Sequence, residues 1–177
     1  KNTRNVTDSV VWIGANDRRI SLFENMFPLD RGVSYNSYLI LDEKTAVMDT
    51  ADTAVTGQFL ENVQGTLDGR PLDYLVVNHM EPDHCANIET LLRLYPEAKV
   101  VGNAKTFQML GQFYAMDLTG RTVTVKEGDV LDLGSHKLQF VCAPMVHWQE
   151  VMMAHAPTEK ALLCSQSFGP LGALYPL

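Results

Sequence analysis

Six consecutive positions, 79 to 84, hold four side chains that can ligate a metal: His79, Glu81, Asp83 and His84. They lie inside VVNHMEPDHCANI, residues 76 to 88, where the apolar run Tyr74-Leu75-Val76-Val77 stops abruptly at Asn78. In extended backbone, residues two apart point the same way. His79, Glu81 and Asp83 therefore share one side, and the turn into the following helix brings His84 round to join them. Crowded carboxylates repel one another, and uncompensated buried charge is costly. A cation is the simplest remedy, so the chemistry expected here is metal binding. The plainer alternative is a polar loop that only starts a helix, with Asp83 as its N-cap.

A second stretch repeats the arrangement. The apolar strand pattern at residues 138 to 141 runs into Ala143-Pro144-Met145-Val146 and then presents His147 and Trp148. The ends of strands are where α/β sites collect, so His147 is a candidate ligand, weighed against a core histidine hydrogen-bonded to backbone. Trp148 reads as a wall that keeps water from the metal or meets a redox partner. Met109 reads as packing, because a thioether suits soft metals and the donors here are hard. His136, in a turn, and His155, in a strand-like run, take structural readings.

The elements that must position these residues follow from periodicity. Residues 9 to 14, 19 to 24, 38 to 41 and 46 to 48 read as strands, and residues 54 to 67 as a helix. After the ligand loop, Ile88, Leu91, Leu92 and Tyr95 recur at helical spacing. A strand at 99 to 101, a helix at 104 to 114 and alternating strands at 121 to 125, 129 to 133 and 137 to 143 follow, with another at 160 to 164. Helices between extended runs make the class α/β.

Composition bounds the answer. The 177 residues suit one domain, and 46% hydrophobic with 20% charged residues is ordinary for a globular protein. A net charge of -7 argues against nucleic acid or an anionic membrane as partner. No apolar run is long enough to span a bilayer, and the polar first ten residues show no signal peptide. Cys85, Cys142 and Cys164, odd in number and widely spaced, read as thiols of a reducing cytoplasm.

His79-Met80-Glu81-Pro82-Asp83-His84 resembles the H-x-E-x-D-H motif of the flavodiiron proteins, a branch of the metallo-β-lactamase superfamily whose hydrolytic members carry H-x-H-x-D-H. A carboxylate in place of the second imidazole adds charge and a hard oxygen, which moves a site from zinc towards iron or manganese. The resemblance spans nearly the whole chain, through VVWIG, SYNSYLI, the MDT step at Asp49, PMVHW and SFGPLGALY. It implies a metallo-β-lactamase-like αββα sandwich over residues 1 to 177, incomplete at its C-terminus. It implies iron held by His79, Glu81, Asp83, His84 and His147, with Asp49 orienting a metal-bound His. It implies reduction of dioxygen to water or nitric oxide to nitrous oxide with electrons from FMN, a rubredoxin-like or flavin donor near Trp148, and a head-to-tail homo-oligomer.

One position departs. The family bridges its two irons with an Asp, and alignment on Phe168-Gly169 places Gln166 there. A neutral amide is a poor bridge, since its oxygen is a weak donor and its nitrogen no ligand. The family's last His and its FMN-holding flavodoxin-like domain would lie beyond Leu177. The expectation is the front part of a longer protein with an incomplete site, holding one metal or none. Two rivals stay open: a metallo-hydrolase, against which Glu81 counts, and a non-catalytic domain, for which Gln166 counts.

Overall fold

A computed structural model describes residues 1–23 and 26–166. In chain order its strands are β1 (Arg4–Asn5), β2 (Val10–Trp12), β3 (Ala15–Asp17), β4 (Leu22–Phe23), β5 (Phe27–Pro28), β6 (Val33–Tyr35), β7 (Tyr38–Leu41), β8 (Thr45–Met48), β9 (Tyr74–Val76), β10 (Lys99–Gly102), β11 (Thr122–Thr124), β12 (Val130–Asp132), β13 (Lys137–Cys142), β14 (Met152–Ala156) and β15 (Ala161–Leu163). The α-helices are α1 (Thr56–Leu67), α2 (Pro82–Cys85), α3 (Ile88–Leu94) and α4 (Ala104–Phe113).

One sheet runs β1-β2-β7-β8-β9-β10-β11 and a second runs β12-β13-β14-β15. The first half of the large sheet is antiparallel, while β8 to β11 pair in parallel. Parallel neighbours need crossover connections, and helices supply each one. α1 joins β8 to β9, α2 and α3 join β9 to β10, and α4 joins β10 to β11. α1 buries Phe59, Val63 and Leu67 along one stripe. α4 starts where the Asn103 side chain accepts from the Thr106 N–H.

Alternation along the strands sends side chains to opposite faces, and both faces of the central strands are covered. Leu39, Val47, Leu75 and Val100 pack with Phe59, Ile88, Leu91 and Leu110 under the helices. Ile40, Met48, Val76 and Val101 pack with Leu138, Phe140, Met152 and Ala154 of the second sheet. Fully burying one such large side chain contributes about 1.5–3 kcal/mol. The result is the helix–sheet–sheet part of a metallo-β-lactamase-like sandwich. Among the described residues every α-helix adds to the core on the helical side, and none covers the outer face of the second sheet.

Three local expectations change. The strand expected at 19 to 24 shrinks to Leu22–Phe23, paired with Phe27–Pro28. A small ribbon of β3 and β6, unseen in the pattern, pairs Ala15 with Tyr35. The N-cap of α2 is Glu81, not Asp83; Pro82 occupies the first turn, where its fixed φ suits helix initiation, and pushes Asp83 inside. The SFGPLGALY stretch and the apolar end GALYPL fall outside the described residues. No helix among the described residues is long and apolar enough to cross a membrane.

Candidate metal centre

The register brings the pieces of the site together. β8 and β9 lie side by side in parallel with Met48 opposite Val76, so Asp49 and the Val77-Asn78-His79 exit share one edge of the sheet. Asp49 takes φ of +56°, a left-handed conformation that Asp tolerates better than most residues. Its carboxylate accepts from the Asn78 N–H at 2.7 Å, the Asn78 amide at 3.1 Å and the His79 N–H at 3.2 Å. Asp49 therefore fixes the backbone of the ligand loop at Asn78 and His79. Burial pushes its acid up to about 6, against the pull of His84 and these hydrogen bonds.

The second sheet delivers the other half. β13 ends at Cys142, and the chain returns to β14 at Met152, whose N–H donates to the Asn78 carbonyl at 3.1 Å. Within that return His147 sits at φ of +88° and Met145 at +65°. Such backbone costs a non-glycine residue about 1–3 kcal/mol and clusters at functional sites.

Three of the five expected ligands converge. One ligand atom each from His79, Glu81 and His147 lies within 4.8 Å of the others. Glu81 Oε2 is 3.0 Å from His79 Nε2 and 2.9 Å from His147 Nε2. Asp83 and His84 do not belong to that group. They stand next to it, with the His84 ring 5.7 Å from that of His79 and Asp83 Oδ2 3.2 Å from His84 Nε2. Asp83 Oδ1 and His84 Nδ1 are buried with no protein partner. Gln166 Oε1 is buried and unpartnered as well.

The residue that sequence reading missed is Glu150. It is fully buried, and its Oε1 lies 2.7 Å from His79 Nδ1 and accepts from the Met80 N–H at 2.9 Å. Its own sequence pattern is silent; the available signal was a lone acid three positions after a candidate ligand. Burial works against charge at His79, but hydrogen bonds to Glu150 and Glu81 outweigh it and raise the ring to about 9. Burial likewise works against ionisation of Glu150, and His79 with the Met80 N–H holds it below the ordinary carboxylate range.

Trp148 stands edge-on to His79, ring centres 5.2 Å apart, and 6.0 Å from His147. With Lys105, Met109, Met145 and His147 it lines a cavity of about 360 Å³ beside the donors. Met109 also packs, partly buried, against the core on the helical side. A larger cavity of about 590 Å³, lined by Arg18, Arg19 and the start of α1, contains none of the donors. His136 is structural, held by Asp42 at 2.7 Å and Glu159 at 2.6 Å. His155 lies within β14 opposite Gln139 and Leu162.

Two imidazoles and one carboxylate on converging loops form a donor set suited to a non-haem divalent metal. The orphaned Asp83 and His84 atoms offer two more donors for a neighbouring ion, and Gln166 adds only a neutral oxygen. The residues present fit one ion well and a second one incompletely.

Fold and site define a metallo-β-lactamase-like domain of the flavodiiron type. The sequence model described as ODP family beta lactamase matches residues 33–173, and the chain belongs to that family. It is 37% identical over 165 residues to a protein named nitric oxide reductase from Moorella thermoacetica, covering 93% of this chain and 41% of that protein. The flavodiiron protein from Giardia intestinalis superposes with a TM-score of 0.90 at 27% identity, over 98% of this chain and 42% of that one. Rubredoxin oxygen:oxidoreductase from Desulfovibrio gigas gives 0.90 at 28%, over 97% and 43%. The chain therefore spans less than half the length of these relatives.

Proposed function

We propose that this chain is the iron-binding domain of a flavodiiron oxidoreductase that reduces nitric oxide to nitrous oxide or dioxygen to water. The electrons come from FMN and, behind it, a rubredoxin-like or flavin donor. The observation that carries the reading is the convergence of His79 Nε2, His147 Nε2 and Glu81 Oε2. Iron, when bound, supplies open coordination positions and one-electron redox chemistry. His79, Glu81 and His147 hold it, and Asp83 and His84 begin a second position that Gln166 does not complete. Trp148 walls the cavity and limits water. The relatives named above, a nitric oxide reductase and an oxygen oxidoreductase, support both substrates.

A hydrolase reading fares worse on the same atoms, because Glu81 replaces an imidazole that favours zinc. Exposed Met145 and Val146 beside Trp148 support a docking face for the donor or for a head-to-tail copy. The thiols Cys85, Cys142 and Cys164 are unpaired, which fits a reducing cytoplasm. Metal analysis after anaerobic loading with ferrous iron tests the site. One iron per chain, lost on His79→Ala, is expected. Two tightly held irons per chain would overturn the incomplete site, and zinc-dependent ester hydrolysis without iron uptake would overturn the redox reading.

A further inference from the structure

The ring of His79 can ligate through Nε2 only if its other nitrogen carries the proton and its plane is fixed. Glu150 meets both needs from a distance of 71 positions in the chain. Its carboxylate accepts only, so the hydrogen on the 2.7 Å contact belongs to His79 Nδ1, and Nε2 keeps its lone pair for a cation. The same Oε1 also accepts from the Met80 N–H at 2.9 Å, so one atom sets both the ring and the backbone behind it. Glu150 is in turn held in place: its carbonyl accepts from the Asn103 amide at 2.7 Å, and its side chain is wholly buried.

We infer that Glu150 is the positioning residue of the metal centre, selecting the tautomer and angle of His79 and raising its strength as a donor. This role rests on the metal site proposed above. Carboxylates placed behind ligating histidines act in this way generally, and their loss weakens metal binding by about 10–100-fold. Asp49 is occupied with the backbone of the same loop.

Cobalt(II) binding to the 177-residue chain, followed by its visible absorption band, tests the assignment. Glu150→Gln keeps an oxygen for the Met80 N–H and removes the charge facing His79. A role limited to holding the loop leaves its binding unchanged; a positioning role weakens cobalt binding about tenfold and shifts the band. Glu150→Leu should lose more, up to about 100-fold. A second readout needs no substitution. In the zinc-loaded chain, nitrogen NMR should show His79 protonated at Nδ1, and an unprotonated Nδ1 overturns the assignment. Wild type that takes up no cobalt overturns the site and the role of Glu150 together. Wild type that binds, with Glu150→Gln binding equally, overturns the role of Glu150 alone.

Discussion

Glu81 Oε2 lies 2.9 Å from His147 Nε2, although 66 positions separate the two residues. The same oxygen is 3.0 Å from His79 Nε2. One carboxylate oxygen thus serves two imidazoles that arrive from different sheets. Such a contact is favourable when a proton or a metal ion lies between the groups, and it places three donors around a small volume.

His147 combines an unfavourable backbone, at φ of +88°, with a side chain that is 42% exposed. Glycine accepts that φ freely. His147→Gly should therefore stay within about 1 kcal/mol of wild type without metal. It should lose the thermal shift that metal confers on wild type, worth about 2.7 kcal/mol at a hundred times the dissociation constant. Thermal unfolding with and without cobalt checks this, and a variant that keeps the full shift removes His147 from the donor set.

Glu81 sets which metal the site prefers. Glu81→His replaces a hard, charged oxygen with a neutral nitrogen, which favours zinc over iron or manganese. Competition between zinc and manganese should move towards zinc by at least about tenfold, roughly 1.4 kcal/mol. An unchanged preference would mean that Glu81 does not touch the ion.

Gln166 stands where the family resemblance places a carboxylate, and its Oε1 is buried without a partner. Gln166→Asp supplies the charge that the resemblance places at this position. Iron bound after anaerobic loading and desalting should rise from about one towards two per chain, the difference being one charged hard ligand. An unaltered iron content would show that position 166 is not the bridging position.

The far end of the sandwich predicts a pH dependence. His136, at the start of β13, is wedged between Asp42, beyond β7, and Glu159, between β14 and β15. Burial opposes charge on the His136 ring, but the two carboxylates prevail and raise its pKa. Burial also opposes ionisation of Asp42, which the His136 hydrogen bonds nonetheless lower to about 2. The His136 contribution is complete below its unfolded value of about 6.5 and is lost as pH rises through the raised one. The Asp42 contribution is complete above its ordinary value of 3.8 and is lost as pH falls towards about 2. His136→Ala should cost about 2 kcal/mol at pH 6, between the worth of an exposed and a buried pair. It should also flatten the decline in stability above neutrality, as denaturant unfolding at several pH values would show.

The ligand loop was legible because four donors packed into six residues repel one another unless a cation sits among them, and the helices because Phe59, Val63 and Leu67 repeat at helical spacing. Glu150 was not legible. It acts on a residue 71 positions away, and only the turn between β13 and β14 decides that it faces inward. Asp49 was found for its position, but which atom it holds depends on the register of β8 against β9. His136 reads as structural from its turn, while its partner Asp42 lies 94 positions away, where no local pattern links the two. The β3–β6 ribbon lacked a signal because Asn16 and Asp17 are poor strand formers, held there by pairing with Ser34 and Val33.

His79 and Glu81 leave the seven-stranded sheet, whereas His147 leaves the four-stranded one. An ion seated among them would rivet the open mouth of the sandwich, as the His136 pairs fasten its closed end. Starved of metal, the molecule should gape at that mouth first, with amide exchange and protease nicking quickening around residues 143 to 151 while the turn before β13 stays shut.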